Sequence, residues 1–136
     1  MMKKGTVRQN IKEADEQKAI FQWAKLKYSK FPELEWCLFS IPNGGSRHKL
    51  EAYNLKLQGT KSGVSDMTLQ VARGGYHGLW IELKVGKNKT TKNQDKFLEA
   101  MNKQGYFAIV CHGAEEAIGT ILAYLRLSKV VEDAGE

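Results

Sequence analysis

Three charged residues in the stretch Gly63 to Lys84, GVSDMTLQVARGGYHGLWIELK, have the types and spacing to do chemistry: Asp66, Glu82 and Lys84. Two carboxylates held side by side repel each other, and strand propensity gives no reason to keep them there. A divalent cation removes that objection. Carboxylate oxygens suit a hard ion such as magnesium or manganese, and a lysine one pleat further on could hold a phosphate oxygen or a water.

The grouping requires two segments to pair. In WIELKV, alternation places Ile81, Leu83 and Val85 on one face of a strand and Trp80, Glu82 and Lys84 on the other. DMTLQV repeats the pattern, with Met67, Leu69 and Val71 apolar and Asp66, Thr68 and Gln70 polar. An antiparallel hairpin turning about Gly74 sets Asp66 opposite Glu82, so that both share a face with Lys84. A hairpin centred half a step later sets Asp66 opposite Leu83 and disperses the group. The bland alternative is that all three line the solvent face of an amphipathic hairpin.

Bulk properties narrow the field. The 136 residues suit one domain with a modest core, and 42% hydrophobic with 26% charged residues is a globular composition. Lys and Arg number 21 against 15 acidic residues, for a net charge of +6, which favours a polyanionic partner such as nucleic acid. Cys37 and Cys111, and His48, His77 and His112, have no zinc-type spacing, and isolated cysteines suit a reducing compartment. No stretch has the apolar length of a membrane span and the N-terminus lacks a signal-peptide core, so a cytoplasmic location is expected, without membrane or small-molecule cofactor.

The remaining elements must position the hairpin. Met1 to Asn10 reads as a flexible basic arm, and Ile11 to Lys30 as a helix ending before Pro32. On its inward side, Glu13, Glu16 and Gln17 align with Ile20 and Ala24; an acid there is a further metal-ligand candidate or a partner of the helix N-terminal dipole. Glu35 to Ile41 has strand composition. PNGGSRHK follows, a glycine-containing loop in which Asn43, Arg47 and Lys49 are candidate DNA contacts, with Lys61 in the next loop. Leu50 to Gln58 reads as a short helix. After the hairpin, Lys87, Lys89 and Lys92 lie in a lysine-rich run suited to a phosphate backbone or simply to solvent. Thr91 caps a helix with Gln94 at the capping-box position, and Phe97, Leu98 and Met101 form its buried face. Tyr106 to Cys111 reads as a buried strand, Ala114 to Leu127 as an amphipathic helix, and 128–136 as a loose tail. The expected fold is α/β, a central mixed sheet flanked by helices, with its last two strands parallel through a helical crossover.

The ordered set EADEQKAIFQWA, PNGG with Arg47, GTKSGVSDMTL, WIELK, TTKNQ and GYFAIVCHGAEEAIGTILAYL resembles the PD-(D/E)xK nuclease superfamily, and within it the stand-alone virus-type replication-repair nuclease (VRR-Nuc) domain, over residues 11–127. The resemblance implies a restriction-endonuclease-like core in αβββαβ order, similar to archaeal Holliday-junction resolvases. It implies that Asp66, Glu82 and the main-chain carbonyl of Leu83 bind magnesium or manganese, with Glu13, or Glu16 on the same helical face, as the helix-one acid. Lys84 would be the catalytic lysine and Gln94 a further site residue. Ser65 stands where that family typically has proline, which removes no ligand. The implied activity is metal-dependent cleavage of branched DNA (junction, flap or fork) in replication, recombination or repair by a homodimer. A non-catalytic DNA-binding module of the same fold is the alternative.

Overall fold

The computed structural model describes residues 4–42 and 48–129, with side chains from residue 12 onward. Asn43 and Arg47, and nearly all of the 128–136 tail, lie outside the described residues. Helix α1 (Lys4–Leu26) begins well before Ile11, so the expected boundary at residue 10 falls inside a helix. No proline interrupts the sequence between Lys4 and Ile11, and nothing in it forces a later start.

Pro32 acts as a helix starter. Its φ of −59° places it at the N-cap of α2 (Glu33–Cys37), where Glu33 and Glu35 favour the positive end and Leu34 is buried. The strand expected over Glu35 to Ile41 is therefore corrected to β1 (Leu38–Ser40), because burying Leu34 outweighs the strand preference of Trp36 and Cys37. Helix α3 (Lys49–Leu57) starts at the His48 cap, ends before Gly59 and buries none of its residues.

A four-stranded mixed sheet runs in the order β1, β2 (Met67–Leu69), β3 (Leu79–Lys84) and β4 (Phe107–His112). The β1–β2 and β2–β3 pairs are antiparallel and β3–β4 is parallel. Between β3 and β4 runs α4 (Lys92–Lys103), which opens on the expected capping box of Thr91 and Gln94. Helix α5 (Ala114–Leu125) follows β4 directly. The strand expected to be buried, β4, is half-buried along most of its length, because it has a neighbour on one side only. Phe97, Leu98 and Met101 of α4 are likewise half-buried.

The β2–β3 ladder pairs Met67 with Ile81, Thr68 with Trp80 and Leu69 with Leu79, each symmetric about residue 74. The tip is not. Gly74 and Gly75, with φ of 58° and 86°, form a two-residue turn closed by an Arg73–Tyr76 bridge, whose centre lies half a step later. One extra residue on the Gln70–Ala72 side reconciles the two, since only His77 and Gly78 intervene on the other arm. The extra residue is held by long-range bonds. Gln70 N–H donates to Cys37 O (2.9 Å), and the Tyr124 hydroxyl donates to Val71 O (2.7 Å). Arg73 pairs with Glu33 at 2.6 Å.

The core lies between the sheet and helices α1 and α5, where Ile81 and Leu83 join Ile20, Ala24, Ala117 and Ile121 in one cluster. On the opposite face Trp80 packs edge-to-face on Phe97 of α4, with ring centroids 5.1 Å apart. Among the described residues no helix is long and apolar enough to cross a membrane.

Candidate active site

Continuing the ladder by one residue pair brings Asp66 across from Glu82, as the sequence arithmetic expects. Asp66 stands just before β2, where its main-chain carbonyl accepts from Ile41 N–H (2.8 Å). Its carboxylate accepts from the Leu83 N–H at 2.6 Å, which fixes the side chain against β3. A residue's N–H and C=O leave a strand on the same side, so the Leu83 carbonyl faces this edge too, beyond the last β2–β3 pair.

Glu82 and Lys84 are not on a solvent face. They are 2% and 7% exposed, so the solvent-face reading of the hairpin is set aside. Asp66 lies close enough for its charge to bear on Glu82, and Glu82 Oε2 stands 3.8 Å from Lys84 Nζ. Glu82 Oε1 is buried with no partner, a costly arrangement for a carboxyl oxygen. Burial, above all, pushes the Glu82 carboxyl up to about 9; the neighbouring Asp66 and the Glu13 charge add to this, and Lys84 opposes it. At neutral pH the Glu82 carboxyl is therefore protonated.

The two helix-one acids separate. Glu13 accepts from Asn88 Nδ2 at 3.3 Å, in the loop that leaves β3, and its charge reaches Glu82. Glu16 instead accepts from Ala114 N–H at 3.3 Å, at the start of α5. Asn88 was not singled out from the sequence, where it is one polar residue in a lysine-rich run. Gln94 spends its side-chain oxygen on the capping box, accepting from Thr91 N–H at 2.9 Å. Lys87 and Lys89 flank Asn88 and Lys92 opens α4, all exposed. Lys61 precedes Asp66 in an exposed loop, while Lys49 sits on α3, an element with no buried residue.

Among the described residues no three His, Cys, Asp or Glu side chains are grouped closely enough to hold a metal ion. The donor set is two carboxylates and a main-chain carbonyl. It nevertheless fits a hard cation: the oxygens are of the right kind, one of them is buried without any partner, and the Glu82 carboxyl is held protonated where no positive charge balances it.

Half-buried Asp66 and buried Glu82 beside Lys84, on a mixed sheet flanked by helices, form a site of the kind a nuclease-type fold carries. The VRR-NUC domain family model matches residues 4–115, and the chain belongs to that family. A solved structure described as a VRR_NUC domain protein is similar at 32% identity, with a TM-score of 0.74, over 87% of this chain and 91% of that one. No curated protein matches the chain.

Proposed function

We propose that the protein is a metal-dependent endonuclease that hydrolyses phosphodiester bonds in branched DNA. The observation that carries the reading is Asp66 across from buried Glu82, whose Oε1 has no partner and whose Oε2 faces Lys84. Asp66, Glu82 and the Leu83 carbonyl would hold magnesium or manganese, with Glu13 further out on the α1 side. Bound there, such an ion supplies electrophilic pull on a phosphate oxygen and lowers the pKa of a water. Asp66 is set in advance by the Leu83 N–H, so little reorganisation is needed during turnover. Lys84, kept beside Glu82 by its burial, places a positive charge where a phosphate oxygen or the attacking water would sit. Asn88 positions Glu13. Exposed Lys87, Lys89 and Lys92, just beyond β3, supply the cations that a DNA backbone needs.

The test is a titration of magnesium and of manganese against flap, fork, nicked and four-way DNA. Products that depend on the ion and on branching are expected. Mobility shifts without products on any substrate would leave a binding module of the same fold. We further propose that two copies present two sites to one junction; sedimentation showing monomer alone at working concentrations removes that part.

A further inference from the structure

Away from the carboxylates, the end of α3, the 60–64 loop and α4 line an open groove of about 660 Å³. Half-buried Val64, Phe97 and Met101 supply its apolar lining, and exposed Lys56, Lys61 and Lys96 stand around it. The groove is preformed. Asn93 Nδ2 donates to Ser62 Oγ at 2.8 Å, and a Cβ at Gly63, where φ is +91°, would meet the Asn93 carbonyl oxygen at 2.5 Å. The loop thus seats on the first turn of α4 through a contact that only glycine permits.

The groove also communicates with the site. Phe97 packs on Trp80, which shares a face of β3 with Glu82 and Lys84, and Val64 lies two residues before Asp66. Lysines spaced around an apolar centre suit a ligand that offers phosphates and base faces together. Duplex DNA hides its base faces in the stack; an unpaired strand exposes them.

We propose that this groove seats an unpaired strand of the DNA substrate, with its bases against Phe97, Met101 and Val64 and its phosphates on Lys56, Lys61 and Lys96. The inference rests on the nuclease reading only in taking DNA as the ligand. It specifies that reading: branched substrates carrying a single-stranded arm are preferred to fully paired ones.

Fluorescence anisotropy of the full chain in EDTA, with labelled oligo(dT) of about 15 nucleotides and a duplex of equal length, tests binding without cleavage. The double substitution Lys56→Gln, Lys96→Gln is expected to weaken oligo(dT) binding about tenfold and lower its log–log salt slope by about 1.4, at about 0.7 per lost phosphate contact. Met101→Glu is expected to weaken it about tenfold as well, with duplex affinity moving less than about twofold in both variants. Circular dichroism checks folding, and the lysine pair, on exposed helix positions, decides if Met101→Glu misfolds. Equal losses on both ligands, or none on either, overturn the groove assignment. Cleavage without this discrimination removes the groove and keeps the nuclease; discrimination without cleavage does the reverse.

Discussion

The two faces of β3 are almost equally buried, and they are buried for opposite reasons. Ile81 and Leu83, each 1% exposed, gain by leaving water and interlock with α1 and α5. Glu82 and Lys84, a residue away along the same strand, lose hydration and recover only part of it, since one Glu82 oxygen has no partner and Lys84 reaches the other at 3.8 Å. Burial on the first face explains itself as folding. On the second face it opposes folding, and the proposed metal site would account for it.

That contrast can be broken in several ways. The largest expected effect is on the polar face: Asp66→Ala, Glu82→Ala or Lys84→Ala should each reduce cleavage of branched DNA about a thousandfold or more in a chain that still folds, as losing several kcal/mol of charge stabilisation implies. Gel assays beside circular dichroism check this, and near-normal cleavage by any one variant would remove that residue from the site. On the apolar face Ile81→Ala should cost about 2–5 kcal/mol of stability by urea unfolding, from lost transfer energy and an unfilled cavity. Glu82→Gln, which mimics the protonated acid, should leave stability at neutral pH unchanged or higher. A cost comparable to Ile81→Ala would mean that the two faces do not differ as argued.

A pH scan sharpens the same point. The Glu82 carboxyl is raised from 4.5 to about 9, so between those values the folded chain binds more protons than the unfolded one. Its stabilising contribution is whole below about 4.5 and is lost as pH rises through about 9. In EDTA the melting temperature of the native chain should therefore fall across that window more steeply than that of Glu82→Gln; parallel curves would contradict the assignment. The smallest effect belongs to Thr91→Ala, which removes the capping hydroxyl of α4 and should cost about 1 kcal/mol by urea unfolding.

Much of this was legible because it is local. Alternation in WIELKV identifies β3 and its faces, the capping box identifies the start of α4, and helical spacing places Glu13, Glu16 and Gln17 with Ile20 and Ala24. What was missed depends on distant partners. Glu35 to Cys37 has strand composition, yet Leu34 draws it into a helix by packing in the core. Glu13 and Glu16 are equivalent on a helical wheel; Asn88 and the Ala114 N–H, far along the chain, tell them apart.

The hairpin shows where the division lies. The sequence by itself determined the residue types, the alternation and two possible symmetries, one about residue 74 that sets Asp66 across from Glu82 and one half a step later that does not. A turn on Gly74–Gly75 alone would have shifted that symmetry by half a step and left Asp66 facing Leu83. Only the tertiary structure decided otherwise, by holding an extra residue in the Gln70–Ala72 arm through Cys37, Tyr124 and the Arg73–Glu33 pair. Register within a hairpin is a local count, but the bonds that keep an extra residue in that count come from other elements, and no nearby pattern encodes them.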